Sequence, residues 1–441
     1  MNNIAEIEFK KSYPFIFSFF YLIQGIYNGI QYIVIPFWII SIMTVDLAVV
    51  LEIFAIATIP WFLKFIIGLL NDKYGTKNFG HRKPWIIIPG IFAGIWFVIT
   101  GFGLQFQTES TILGFFLICA LMWNIGIAFA DTSFDGLILE VTPKDKLGRV
   151  QGYTWAMNLF GNAAGGILLG ALFISFNAIF LLFILEGVLF VIACIGPFFV
   201  EEKPLAEEIP VLSNLKEIFR KRDNWKVFIS AILDSIPYGI VVIAYTLLIL
   251  LYAPNPLISG PISSLSLKGP TLEAFLMFCL IGAVNGIGVV VGSILIGRFA
   301  DKNRRLAVYI SNFLYIPLLP LCFLFRGPYV FGIIMMLLLG IGEGGLHSSF
   351  QAVRGDISNK YPELRSTFFA LIISFLNAGQ TIGMAITGVL LALFSNVFSE
   401  YYMVLFCIMI IMAISQTLSL LIFNTINRNE YEIDTTKNSE K

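Results

Sequence analysis

The chain has 441 residues, no formal net charge, and 13% charged against 58% hydrophobic residues. A soluble domain carries about 25% charged residues, so the composition excludes a water-borne globular protein. The five cysteines are scattered through apolar runs, which excludes a disulfide framework. Crossing the hydrocarbon core takes about 20 apolar residues as a helix. Twelve runs meet or approach that length: Phe15–Trp38, Leu47–Leu70, Trp85–Phe102, Ile112–Leu137, Val150–Phe173, Ala178–Val200, Val227–Tyr252, Leu272–Ile296, Ala307–Phe325, Val330–Ala352, Thr367–Phe394 and Tyr401–Phe423. The first run is too long for a signal-peptide core and lacks a small-residue cleavage site, so it reads as a retained helix with the N-terminus in the cytosol. In that orientation 26 of the 28 Lys and Arg lie in cytosolic loops, tails or inner helix ends, with Lys268 and Arg326 outside. The positive-inside rule predicts such an asymmetry. The expected protein is therefore a multi-pass protein of the cell membrane with both termini cytosolic.

The expected fold is all-α, with twelve transmembrane helices as two six-helix pseudo-symmetric halves. Residues 1–200 form the first half, 201–226 a cytosolic linker, 227–427 the second half, and 428–441 a polar, disordered cytosolic tail. Ser213-Asn-Leu-Lys-Glu-Ile-Phe-Arg-Lys in the linker reads as a capped amphipathic helix. The halves repeat. Gly68-Leu-Leu-Asn-Asp72-Lys73 matches Gly297-Arg-Phe-Ala-Asp301-Lys302, and Gln24-Gly-Ile-Tyr-Asn-Gly-Ile resembles Asp234-Ser-Ile-Pro-Tyr-Gly-Ile. His347 follows Asp131 by 216 residues, and Arg365 follows Arg149 by the same 216. Parallel repeats flanking a midplane site are a transporter architecture.

Charged groups in the hydrocarbon region cost at least about 2.5–3.5 kcal/mol at a helix centre, so they are retained mainly where they line a cavity or carry function. On the fourth helix, Asn124, Asp131 and Asp135 share one face. Asp131 precedes Pro143 by twelve residues, about 18 Å from the helix end at 1.5 Å per residue. On the tenth, Glu343, His347, Gln351 and Arg354 share a face by the same spacing. Asp131, Asp135, Glu343 and His347 are candidates for coupling to a proton or cation; the alternative is that the two aspartates are permanently paired with a base such as Lys64. Gln24, Asn28, Asn124, Asp234, Tyr238 and Gln351 are candidate cavity-lining groups. Tyr27 and Gln31 lie beside them on helix 1, and Glu52 and Glu186 are further polar groups in apolar runs. Pro237 should kink the seventh helix. Gly161, Gly165, Gly166 and Gly170 on helix 5, Gly379 and Gly383 on helix 11, and Gly282, Gly286 and Gly288 on helix 8 read as helix-packing glycines.

Gly68-x-x-x-Asp72-Lys73-x-Gly75-x-Lys77 resembles the loop between helices 2 and 3 of the major facilitator superfamily. The stretch from Ile59-Pro-Trp-Phe-Leu-Lys64 to Gly80-His-Arg-Lys-Pro-Trp85, with Asp131-x3-Asp135-Gly136-x3-Glu140, is similar to the folate–biopterin transporter family and its muropeptide-permease and acetyl-CoA-transporter relatives. The Gly-His-Arg-Lys-Pro-Trp piece also resembles glycoside–pentoside–hexuronide:cation symporters, and helix 5 resembles that of drug:proton antiporters except that Asn162 stands at their usual proline. The superfamily resemblance implies a cytosolic gate of Gly68, Asp72, Lys73 and Arg149, mirrored by Asp301 and Arg365. Gly68 would admit a close helix, and Asp72 would pair with Arg149 or cap a helix. The plainer alternative is that these charges anchor loops and set topology.

No nucleotide-binding loop, metal-ligand cluster or nucleophile–base pair is apparent, so no enzyme activity, cofactor, metal or nucleic-acid partner is expected. The expected function is alternating-access transport of a small polar organic solute, coupled to a proton or cation gradient, by a monomer in the lipid bilayer. A sugar:cation symporter of the same fold and a non-transporting sensor or scaffold are the rival readings.

Overall fold

A computed structural model describes residues 9–42, 47–74, 80, 82–202, 211–238, 240–252, 258–259, 266–267, 272–300, 302–321, 328–358 and 365–431. All twelve expected segments fall on helix within them. The first runs through α1 (Tyr13–Gly29), a π-helical turn at Ile30–Val34 and α2 (Ile35–Ile42). The second is broken into α3 (Leu47–Ala57), α4 (Ile59–Phe62) and α5 (Lys64–Lys73). Its breaks fall around Pro60, which lacks an amide donor, and at Leu63, whose ψ of 6° leaves the helical range. Next come α6 (Lys83–Gly103), α7 (Ile112–Val141), α8 (Lys144–Ala163), a π turn at Ala164–Leu169, α9 (Gly170–Ser175) and α10 (Ile179–Ile195).

The linker helix is α11 (Val211–Arg220). The seventh segment divides into α12 (Arg222–Ser235) and α13 (Val241–Tyr252), and the interruption contains Pro237 as its backbone chemistry predicts. Then follow α14 (Leu272–Ala300), α15 (Arg304–Leu321), α16 (Tyr329–Ser358), α17 (Arg365–Ser395) and α18 (Tyr401–Phe423). Ile258–Ser259 pairs antiparallel with Ser266–Leu267. Among the described residues, nine helices are long and apolar enough to cross a membrane. The remaining segments are the broken second and seventh, and α15, which opens on two arginines and carries Pro317 and Pro320.

The chain forms two compact units: residues 1–38 with 56–211, and residues 39–55 with 212–441. In unit 1, α1 lies against α8 along Gly25 and Gly29, which face the backbone of Asn158 and Asn162. A side chain at either glycine would collide with main chain, so the contact needs glycine. In unit 2, Gly379 and Gly383 of α17 meet Ile232 and Ile236 in the same manner. Not every expected packing glycine packs. A Cβ at Gly68 would meet only Thr132 Cγ2 at 4.0 Å, and Gly282 and Gly286 face open space. Among the described residues no helix crosses closely at those positions.

Two boundaries also move. Ser213 lies inside α11 rather than capping it, because the helix starts at Val211. The other end of α11 is tied to α12: Asn224 Nδ2 donates to Ile218 O at 2.7 Å and Trp225 Nε1 to Phe219 O at 2.9 Å. The expected disordered tail is ordered in its first residues. Arg428–Glu430 forms a 3-10 turn, and the buried Tyr431 ring sits 5.2 Å from Phe423. Residues 432–441 lie outside the described residues.

Candidate functional site

Unit 1 gathers polar groups from α1, α4, α5 and α7. The break before α5 puts Lys64 at the first position of a new helix, one turn after Trp61. On α7, Asn124 and Asp131 stand two turns apart on one face. Trp61 Nε1 donates to Asn124 Oδ1 at 2.6 Å, and the Lys64 ammonium pairs with Asp131 Oδ2. The ammonium also lies 4.9 Å from the Trp61 ring centroid, a cation–π contact. Gln24 Nε2 donates to the other Asp131 oxygen at 2.5 Å and accepts from Asn158 Nδ2 at 3.3 Å. Asp135, one turn beyond Asp131, accepts from the Tyr21 hydroxyl. One ammonium pairs with Asp131 and lies within electrostatic reach of Asp135.

Tyr27 extends this cluster along α1. Its hydroxyl has one proton but lies against the side-chain oxygens of both Asn124, at 2.6 Å, and Gln31. The Asn124 oxygen also accepts from Trp61, and Asn124 Nδ2 donates to Gln31 Oε1 at 3.4 Å. Asn28 is half-buried and makes no part of these bonds.

Unit 2 assembles a matching kit from different helices. Arg354 Nη2 of α16 pairs with Asp234 Oδ2 of α12 at 2.8 Å, with side-chain exposures of 3% and 0%. Gln416 Nε2 of α18 donates to Asp234 Oδ1 at 2.9 Å and to Asn312 Oδ1 of α15 at 3.1 Å. The Arg354 guanidinium lies 4.9 Å from the Phe350 ring centroid. His347 is exposed, its ring 5.4 Å from Tyr238, which stands in the interruption after α12. Glu343 is half-buried and faces Asn285 of α14. Arg354 Nη1, Tyr238 Oη, Gln351 Oε1 and Gln416 Oε1 are buried without hydrogen-bond partners among the described residues.

The motif patches that carry the resemblance meet in space. Arg82, at the start of α6, pairs through Nη2 with Glu140 Oε1 of α7 at 2.7 Å. Gly136 permits it, since a Cβ there would stand 2.6 Å from the guanidinium carbon. Unit 2 repeats the pair: Arg304, at the start of α15, meets Asp356 Oδ2 at 2.9 Å, and Asp356 follows Glu140 by 216 residues. Of the expected gate, Gly68 is described and packs loosely. The side chains of Asp72, Lys73, Arg149 and Arg365, and all of Asp301, lie outside the described residues.

Of the residues in these clusters, the sequence singled out Asp131, Asp135, Gln24, Asn124, Asp234 and Tyr238, with Lys64 as a structural partner of the aspartates and, beside Arg354, as a charge near the inner cavity mouth. Sequence reasoning missed Tyr21, Trp61, Asn158, Asn312 and Gln416. The amides Asn312 and Gln416 carried a signal, since an amide inside an apolar run needs a partner. The two aromatics carried none, because such rings are frequent in membrane helices. A cavity of about 490 Å³ also lies on unit 1, bounded by Trp85, Pro89, Phe92 and Phe129 among others, but its lining is apolar and it touches neither cluster.

Nine membrane-length helices and further shorter or broken apolar ones among the described residues, in two units with an ion pair buried inside each, mark a multi-pass membrane protein of the major facilitator fold. A bacterial homolog of the human lysosomal transporter Spinster, solved in an inward-facing and occupied conformation, shares that fold with a TM-score of 0.66 at 16% identity, over 97% of this chain and 100% of the other. Residues 274–439 match the Major Facilitator Superfamily, and residues 24–259, just over half of the chain, match the BT1 family. The chain belongs to the BT1 family.

Among individual relatives, it is 26% identical to the putative transporter AmpG 1 of Rickettsia conorii, over 58% of this chain and 61% of that protein. It is 28% identical to the probable folate-biopterin transporter 4 of Arabidopsis thaliana, over 38% of this chain and 34% of the other. It is also 28% identical to a multi-drug resistance efflux pump PmrA homolog of Lactococcus lactis, over 73% and 74%. The chain thus spans about three fifths of the first of these proteins and a third of the second.

Proposed function

We propose that the protein is a secondary active transporter that moves a small polar organic solute by alternating access, coupled to a proton or cation gradient. One observation carries this reading: the Lys64 ammonium pairs with Asp131, and a second carboxyl, Asp135, stands one turn further along α7, bonded by the Tyr21 hydroxyl and within electrostatic reach of the same ammonium. A buried pair of opposite charges is complete in itself, whereas a second carboxyl beside it leaves one negative charge to be met by a proton or cation. The amide and phenol groups around the pair offer oriented hydrogen bonds to a polar solute. The name of the Rickettsia relative supports transport, and that of the Arabidopsis relative supports such a solute. The distribution of Lys and Arg supports cytosolic termini in a cell membrane, and the chain works as a monomer.

The test is a thermal-shift screen of the purified protein against pterins, amino sugars, sugars, nucleosides and carboxylates at mildly acidic and neutral pH. A ligand at 100 times its dissociation constant stabilises the native state by about 2.7 kcal/mol. The expected result is a hit in one class that is lost in Asp131→Asn and changes its pH dependence in Asp135→Asn. The absence of any hit, with both variants as stable as the parent, would favour a non-transporting scaffold.

A further inference from the structure

Unit 1 holds a third acid that neither cluster uses. Glu186 lies on α10, seven residues after its start at Ile179, about 10 Å along the helix. It is 1% exposed, and neither carboxyl oxygen has a hydrogen-bond partner among the described residues. α10 packs against α6, α1 and α9. From α1, Tyr27 stands within electrostatic reach of the carboxyl. From α6, Gly94, Phe97 and Val98 abut the neighbouring Gly187. Phe97 stacks on Trp123 of α7 at 4.7 Å and meets Tyr27 at 6.0 Å. The Trp123 ring is 5.7 Å from Phe183, one turn before Glu186, and its Nε1 is also buried without a partner. The other titratable groups on these elements are Cys194 on α10 itself, Tyr13 and Tyr21 on α1, Lys83 on α6, and Cys119, Asp131, Asp135 and Glu140 on α7. None of them forms a hydrogen bond or ion pair with Glu186 among the described residues.

We propose that Glu186 is a proton-binding site of unit 1, separate from the Lys64–Asp131 pair, with Tyr27 and its bond to Asn124 standing between the two. A carboxylate with no counter-charge and no donor cannot persist in such a site, whereas the carboxylic acid can. If packing were the only demand, an apolar side chain of similar volume would fill the gap without an orphaned polar group. An acid at this position, within electrostatic reach of the Tyr27 phenol, binds a proton when water reaches it and returns that proton to water. No other bond forms or breaks.

The test needs no substrate. Infrared spectra of the full-length protein in liposomes are recorded for the parent and for Glu186→Gln, which keeps the shape and neutrality of the acid. The expected result is one carboxylic-acid carbonyl band present in the parent and absent in the variant. That band shifts on transfer to D2O and disappears at alkaline pH. A carboxylate band in its place at neutral pH overturns the proposal. So does an acid band that neither shifts in D2O nor titrates, since that acid is sealed and only structural. Should Glu186→Gln fail to fold, Glu186→Asp provides the comparison, because its acid band should move in frequency and still exchange. Either outcome is read independently of the ligand screen.

Discussion

In unit 1 a lysine meets an aspartate over a tryptophan ring, and in unit 2 an arginine meets an aspartate over a phenylalanine ring. In each, a glutamine from another helix donates a second hydrogen bond to the acid. The helices that supply the parts differ. The acid comes from the fourth segment in unit 1 and from the seventh in unit 2, while the tenth supplies the base. What remains over differs too. Unit 1 keeps a second, exposed carboxyl, Asp135, beside its pair, whereas unit 2 closes as a neutral pair with both side chains almost wholly buried. A sealed pair holds helices together, and a pair with a surplus charge can change its protonation or its ion. On this difference rests the proposal that Lys64–Asp131–Asp135 responds to a proton or cation while Asp234–Arg354 maintains the fold.

The comparison breaks first on the sealed pair. Arg354→Met strands the Asp234 carboxylate, and removing one partner of a buried pair costs about 3–5 kcal/mol. The expected outcome is a large drop in melting temperature and in the yield of monodisperse protein. Were Arg354→Met no more damaging than Lys64→Met, the division between a locked and a responsive unit would be wrong. Lys64→Met should cost less, about 1.5–3 kcal/mol for a charged hydrogen-bonded group, because the Lys64 side chain is 13% exposed where Arg354 is 3%. Adding Asp131→Asn to it should restore part of the loss in the same melting experiment, since the stranded charge is gone. The smallest pair of effects sharpens the picture. Tyr27→Phe removes a bonded hydroxyl and should cost about 1 kcal/mol. Tyr238→Phe removes a buried hydroxyl without a partner and should change stability by less than about 0.5 kcal/mol or raise it.

Much of the fold was legible because the hydrocarbon core imposes one length and one backbone solution on every segment. The twelve runs, the interruption at Pro237 and the tight α1–α8 and α12–α17 contacts of their glycines follow from that constraint. The site was legible only as a set of expensive residues. Asp131 and Asp234 announced themselves because a charge inside a span requires a partner, but their partners did not. Lys64 reaches Asp131 only because the second segment breaks before it, and Arg354 finds Asp234 on a helix some 120 residues away in the chain. Gly68 and Gly282 look like Gly25 in sequence, yet only Gly25 meets another backbone.

By itself the sequence determined that this chain is a multi-pass membrane protein, where its apolar segments run, and which side chains are costly enough to need an explanation. Those properties depend on composition and spacing along one helix at a time. Tertiary structure decided which costly groups neutralise one another and which are left over. That outcome depends on which helix faces turn toward each other, and apolar helices in lipid carry no hydrophobic signal that orients those faces in advance.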